Sequence, residues 1–281
     1  MKSNKIWFVT GASKGLGLIL VRKLLAHGYA VAATSRNLAE LQQAVPHNDG
    51  RFLPLHMDLS SEDSVQQAIA TTISTLGGLD VVVNNAGYGL VGGLEEITDQ
   101  EARQNFEVNV FGLLNVIRQA TPHLREQRAG HVFNISSIGG YTGSFPGWGI
   151  YCATKFAVAG LTESYAAEMQ EFGVHATVVY PGYFRTEFLT AGSLGTPKQP
   201  IAAYQSVRDS QAQHQQHING SQPGDPEKAA ELLMQVSEDA TPPLHLFLGE
   251  DAYQAAEQKM QAVQADLQTW QNAATATAFS A

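Results

Sequence analysis

Seven short segments of largely consecutive apolar residues recur along the chain, at Lys5–Thr10, Ala30–Thr34, Arg51–Met57, Asp80–Asn84, His131–Ser136, His175–Tyr180 and Leu244–Gly249. Runs of this length, bounded by turn residues, predict strands buried on both faces. Between them the apolar positions take helical spacing, as from Leu18 to Ala26 and over Asp99–Gln119. Asn37 with Glu40, Ser60 with Asp63, and Thr98 with Glu101 have capping-box spacing, and Asp225-Pro226 suits an N-cap followed by proline. Strand alternating with helix requires crossover connections. The expected fold is therefore α/β: a single-domain, Rossmann-like doubly wound parallel sheet of about seven strands with helices on both faces.

The alternation fails once, at about 187–224, where glycines, prolines and a Gln/His-rich stretch from Gln211 to His217 interrupt it. An insertion beside the site is expected there, either a lid over a substrate or a surface excursion. A C-terminal helical extension is expected at about 252–272. Its Met260, Val263, Leu267 and Trp270 share one stripe, which can pack on the body or on another subunit. No internal repeat or compositional break divides the 281 residues, so 1–281 is expected to be one domain.

Charge narrows the partners. With 17 basic and 26 acidic side chains the formal net charge is −9, which opposes non-specific attraction to nucleic acid or anionic lipid. No apolar run reaches the length of a membrane span, and the first residues lack the apolar core of an export signal. Cys152 stands alone, so no intrachain disulfide is possible, and paired-cysteine and HExxH metal patterns are absent. A cytoplasmic protein needing no metal is expected.

Directly after the first strand comes Thr10-Gly11-Ala12-Ser13-Lys14-Gly15-Leu16-Gly17, opening a helix. Glycines let the backbone turn and approach a pyrophosphate, whose charge the N–H groups and dipole of the next helix favour. A dinucleotide is the expected ligand. At the end of the second strand an acid would accept from a ribose 2′-hydroxyl, but the residues are Thr34, Ser35 and Arg36. With Lys14 inside the turn, two cations can bracket a 2′-phosphate, which predicts NADP(H) over NAD(H).

Tyr151 and Lys155 lie four residues apart, on one face of a helix. Making a phenol useful near neutrality takes a shift worth roughly 3–4 kcal/mol. An ammonium ~5 Å away supplies about 3 kcal/mol at an effective dielectric of ~20. Ser136 and Ser137 end the fifth strand on the same edge, where a hydroxyl can orient a carbonyl. Asn109, inside the long helical stretch, can bind water or an irregular backbone turn, or be an ordinary polar residue.

Together these residues resemble the short-chain dehydrogenase/reductases, over Lys5 to about Tyr253. Thr10-Gly11-x-x-x-Gly15-x-Gly17 is similar to the family's cofactor turn, Asn84-Asn85-Ala86-Gly87 to its fourth-strand motif, and Asn109, Ser137, Tyr151 and Lys155 to its catalytic tetrad. The resemblance implies that Tyr151 donates a proton to the carbonyl oxygen and Ser137 positions that oxygen. Lys155 would bind the nicotinamide ribose and lower the Tyr151 pKa, and Asn109 would hold a water beside Lys155. At the cofactor it places Gly11, Ser13, Lys14, Gly15, Leu16, Gly17 and Arg36. Asp58 falls at the adenine and Asn84 at the adenosine ribose, with Asn85 bracing the sheet. Pro181-Gly182 followed by Phe184 and Thr186 matches the segment that holds the carboxamide. Ser137-Ile-Gly-Gly and Tyr151-Cys-Ala-Thr-Lys155-Phe-Ala look most like the branch of hydroxysteroid- and retinol-type dehydrogenases.

Tyr141, Phe145, Trp148, Tyr183, Phe184, Phe188 and Leu189 cluster near the expected site, so an apolar ketone, aldehyde or secondary alcohol is the expected small-molecule substrate. The expected function is an NADP(H)-dependent oxidoreductase acting on CH–OH/C=O, and the resemblance implies a homodimer or homotetramer. The competing expectation is an NADP(H)-sensing binding protein on the same fold, without turnover.

Overall fold

A strand covered on both faces needs apolar side chains at odd and even positions alike, and the seven runs supply them. The computed structural model describes residues 5–46, 49–190 and 192–279. Its strands are β1 (Ile6–Val9), β2 (Ala30–Ser35), β3 (Phe52–His56), β4 (Val81–Asn84), β5 (Gly89–Leu90), β6 (Gly130–Ile135), β7 (Val174–Pro181), β8 (Leu194–Gly195) and β9 (His245–Leu248). The helices are α1 (Gly15–Ala26), α2 (Leu38–Ala44), α3 (Glu62–Leu76), α4 (Asp99–Phe106), α5 (Gly112–Gln127), α6 (Gly149–Met169), α7 (Gln205–Ala212), α8 (Pro226–Ser237) and α9 (Glu250–Thr275).

Seven strands form one parallel sheet in the order β3-β2-β1-β4-β6-β7-β9, the doubly wound α/β fold expected. Alternate residues feed two cores. Trp7, Val9, Val31, Ala33, Val81 and Val83 pack on one face with α1 and α8, whereas Phe8, Ala32 and Val82 pack on the other with α3, α5 and α6. The order reverses between β1 and β4, so their carboxyl ends open the crevice in which such sheets hold ligands.

Helix starts follow the local chemistry. The Asn37 side chain accepts from the Glu40 N–H, Thr98 and Glu101 form a reciprocal capping box, and Asp225 caps α8 with Pro226 in its first turn. At α3 the expectation is off by one residue. Ser61 accepts from the Ser64 N–H, because Ser60 is turned back to donate its N–H and hydroxyl to Asp58. The long helical stretch runs on to Gln127 and is interrupted by a π-helical turn at Glu107–Phe111, which contains Asn109.

The segment at 187–224 folds against the cleft. It contributes β8, which pairs with β5, then α7 and a second π-helical turn at Gln213–Ile218. Glu96 ties it down: the buried carboxylate accepts from the Ile201 N–H at 2.6 Å and meets Arg208 of α7. At the other end, α9 packs through Ala252 and Ala256 on Ile138, Tyr141 and Phe247. The stripe beyond them does not pack on its own body. Met260, Val263, Leu267 and Trp270 are 52, 41, 62 and 65% exposed. Among the described residues no helix is long and apolar enough to cross a membrane.

Candidate active site

The glycine turn is built by close approach. Gly11 has φ +65°, and a Cβ there would sit 2.7 Å from the Cα of Ala86, so the turn after β1 can pass the turn after β4 only without a side chain. Asn85 locks the two together: its Nδ2 donates to the carbonyls of Thr10 and Gly11, both at 3.0 Å. Gly17 faces inward, where a Cβ would meet the Gly11 carbonyl at 2.6 Å. Gly15, at φ +57°, has only Thr186 in contact range. The first turn of α1 has no side-chain cap, and Ser13, Lys14, Gly15 and Leu16 line a cleft of about 950 Å³. Uncapped donors at the mouth of a cleft fit a pyrophosphate.

At one end of the cleft lie Lys14, Arg36 and Asp58. The hydrogen bonds from Ser60 hold the Asp58 carboxyl below the usual carboxylate range, and Arg36 adds to this. Lys14 Nζ donates to the Gly192 carbonyl at 2.9 Å, drawing the 187–224 segment over the turn. Asn84 departs from expectation. It is buried and does not line the cleft; its Nδ2 donates to Asn134 Oδ1 at 2.8 Å within the sheet. At the end of β4, one residue decides which face a side chain takes, and Asn85 rather than Asn84 reaches the cleft wall.

The cleft continues to Ser137, Tyr151 and Lys155. Ser136 is engaged elsewhere, its hydroxyl donating to the Lys155 carbonyl at 2.8 Å. The Ser137 hydroxyl accepts from the Gly139 N–H at 3.0 Å and stands near enough to the Tyr151 phenol to favour its ionised form. Lys155 Nζ donates to the Ile135 carbonyl at 2.8 Å and lies 5.9 Å from the centre of the Tyr151 ring. Burial pushes the Lys155 amine down to about 8. Burial also pushes the Tyr151 phenol above its ordinary value, with Ser137 opposing. The lowered phenol pKa that the resemblance implies is therefore not a property of the protein alone; it requires added positive charge next to the ring.

Asn109 sits behind Lys155 rather than in the cleft. Its Oδ1 accepts from the Tyr88 N–H, and its Nδ2 donates to the Tyr88 carbonyl and to Thr154. These bonds make Asn109 fix the loop after β4 against the π-helical turn. A Cβ on Gly87 would come 3.0 Å from Asn109 Oδ1 and 3.5 Å from Lys155 Nζ, which keeps that corner free of side chains.

Phe145, Trp148, Tyr183, Phe184, Phe188 and Leu189 line the remaining wall, and Cys152 joins them from α6. Tyr141 does not: it packs behind the wall on Tyr180 and Phe247. The Phe184 ring fills the space over Gly224, and the Thr186 N–H donates to the Phe184 carbonyl at 2.8 Å. Among the wall residues that the sequence did not point to are His214 and Gln222. His214 Nδ1 meets the Ser210 carbonyl at 2.7 Å and so carries the proton. Its Nε2 then accepts from the Tyr183 hydroxyl at 2.9 Å. The Gln/His-rich composition was the only signal for it. The indole N–H of Trp148 is buried in this wall with no partner among the described residues.

A family model for short chain dehydrogenases matches residues 5–194. The chain is 34% identical over 276 residues to oxidoreductase BOA17 of Botryotinia fuckeliana, covering 98% of this chain and 100% of that protein. It is 40% identical over 184 residues to a 3-ketodihydrosphingosine reductase of Bacteroides thetaiotaomicron, covering 66% and 65%. Among solved structures, a short-chain dehydrogenase from Streptomyces avermitilis superposes with TM-score 0.89 at 34% identity, over 98% and 100% of the two chains. One from Burkholderia cenocepacia, in complex with NADP, gives TM-score 0.72 at 25% identity over 96% and 98%. A further fold neighbour from Burkholderia phymatum, in complex with NAD, gives 0.82 at 22% over 94% and 95%.

Proposed function

The chain belongs to the short-chain dehydrogenase family, and from that premise we propose an NADP(H)-dependent oxidoreductase that moves a hydride between nicotinamide and a carbonyl or secondary alcohol, with an apolar ketone or aldehyde as its substrate class. The observation that carries this reading is the half-buried Ser137 beside the buried Tyr151 and Lys155, set in an aromatic-walled cleft continuous with the glycine turn.

The residues divide the work. The uncapped first turn of α1, with Gly11, Ser13, Gly15 and Leu16, holds the pyrophosphate, and Phe184 and Thr186 line the nicotinamide end. A reduced nicotinamide bound there supplies the hydride. Tyr151 gives its proton to the substrate oxygen in the reductive direction, and burial keeps the phenol protonated until that moment. Ser137 positions the same oxygen, Lys155 holds the ribose and stabilises the phenolate left behind, and Asn109 positions the loop beside them. Lys14 and Arg36 at the adenosine end support NADP(H), although solved neighbours hold NAD as well as NADP. The aromatic wall supports an apolar substrate, and one relative is named for reduction of a ketone, 3-ketodihydrosphingosine. A cytoplasmic setting, where reduced dinucleotide is supplied, completes the proposal.

The test follows loss of reduced-nicotinamide absorbance, with NADPH and NADH, against a panel of apolar ketones and aldehydes. Tyr151→Phe is expected to lower turnover about 10²–10⁴-fold while NADPH binding persists. Undiminished turnover in that variant overturns the assignment. Wild-type chain that binds NADPH but consumes none across the panel supports the sensing protein instead, a function for which a buried proton donor has no use.

A further inference from the structure

The aromatic wall of the cleft contains a polar pair, His214 and Tyr183. His214 is 7% exposed and is the buried residue of the π-helical turn at Gln213–Ile218. Turns of this kind interrupt a helix and recur at functional sites. The imidazole packs on Trp148 with ring centres 4.7 Å apart, and Trp148 packs on Tyr151 at 5.6 Å. An indole therefore separates His214 from the proposed proton donor. Tyr183, half-buried, lines the same cleft just beyond β7.

The protons of this pair can be counted. The Ser210 carbonyl can only accept, so His214 Nδ1 donates to it at 2.7 Å. Nε2 of a neutral imidazole is then an acceptor, and the Tyr183 hydroxyl donates to it at 2.9 Å. Burial lowers the His214 imidazole below its ordinary value and raises the Tyr183 phenol above its own, which keeps both rings neutral and the proton on the phenol. The pair has no donor left to offer. What remains is the lone pair of the Tyr183 oxygen, to which no donor comes among the described residues.

Neither partner needs this bond to hold its backbone. The Tyr183 N–H donates to Asp251 at 2.7 Å, and its carbonyl accepts from the Gly224 N–H at 2.9 Å. The 187–224 segment is anchored separately, by the Glu96 carboxylate and by β8 on β5. A fixed acceptor in a largely aromatic wall selects a ligand that carries a donor, because an apolar group set against it forfeits a hydrogen bond. We propose that Tyr183, held by His214, accepts a hydrogen bond from a hydroxyl that the substrate carries apart from its reacting carbonyl. The inference rests on the carbonyl-reducing reading above and narrows it, from apolar ketones and aldehydes in general to hydroxylated ones. The donor is neutral: burying an ammonium beside two neutral rings costs more than one hydrogen bond returns.

The test uses the full chain, either reduced dinucleotide, and straight-chain methyl ketones of graded length, each plain, ω-hydroxylated or ω-methoxylated. At the best length kcat/KM is expected to be about tenfold higher for the hydroxylated than for the plain ketone. The methyl ether, which cannot donate, is expected to do no better than the plain compound. Tyr183→Phe is expected to bring the hydroxyl-to-plain ratio down to about one. His214→Phe keeps a ring against Trp148 but frees the phenol proton, and is expected to raise the ether-to-plain ratio several-fold. A merely structural tie produces no such inversion of polarity. Each ratio compares substrates on one protein, so partial loss of folded chain in a variant cancels. Equal efficiency of plain and hydroxylated ketones in the wild type, a hydroxyl preference unchanged in Tyr183→Phe, or an ether ratio unmoved in His214→Phe overturns the proposal and leaves the reductase reading in place. Consumption of no ketone of any kind overturns that reading, and the proposal with it.

Discussion

Single side chains carry the cofactor preference. Lys14 and Arg36 flank the adenosine end of the cleft, and no acid stands at the end of β2 to accept from a ribose hydroxyl. A charge-assisted hydrogen bond is worth about 1.5–3 kcal/mol, so Lys14→Ala with Arg36→Ala is expected to weaken NADPH binding about 10–100-fold and NADH binding much less. Fluorescence titration of the two dinucleotides measures the difference; equal losses remove the phosphate assignment. Residue types at motif spacing make Ser137, Tyr151, Lys155 and the glycine turn legible in the sequence. Asn84 and Asn85 are not separable in this way. Adjacent residues at a strand end take opposite faces, and only the packing around Asn134 and Thr10 shows which amide enters the sheet.

Among the elements, the segment at 187–224 depends most on a single anchor. Burial pushes the Glu96 carboxyl up, but the N–H groups of Ile201 and Gly93, with Arg208, hold it below the usual carboxylate range. A carboxyl with a depressed folded value stabilises the protein above its unfolded value, and that contribution is lost as pH falls through the folded one. Glu96→Gln is expected to cost about 1–3 kcal/mol, because the one remaining carbonyl oxygen cannot accept from both the Ile201 N–H and the Gly93 N–H with Arg208, and the new NH2 meets donors instead of an acceptor. The urea midpoint at neutral pH measures this, and an unchanged midpoint shows that the segment is held by other contacts. Glycines and prolines marked where this segment departs from alternation. Its β8 and the π-helical turn carrying His214 were hidden, because a two-residue strand has no periodicity and the one-residue phase slip of a single π-turn is too small a signal in so short a helical stretch. The turn at Asn109 makes an equally small slip.

For the molecule as a whole, acid stability turns on the centre of the sheet. His131 of β6 is stacked on Phe133 with ring centres 3.9 Å apart. Its Nε2 donates to the Thr177 hydroxyl, which itself donates to the Pro243 carbonyl. Burial, with His175 nearby, pushes its pKa down to about 3. The unfolded chain therefore takes up a proton as pH falls through the ordinary histidine value, while the folded chain does not until about 3. Stability falls across that window by as much as roughly 5 kcal/mol. His131→Gln, which keeps a donor for Thr177, is expected to flatten this limb in urea midpoints measured between pH 7 and 4; an unaltered slope assigns the acid sensitivity to other groups. The amino-acid sequence by itself determined the parallel α/β sheet, the glycine turn and the Tyr151 and Lys155 pair, because each rests on local periodicity or on fixed spacing along one element. Tertiary structure alone decided which amide faces the cleft, how the 187–224 segment closes its wall, and that the apolar stripe of α9 finds no cover on its own body. Those outcomes depend on what distant parts of the chain bring into contact, which spacing along the chain does not encode.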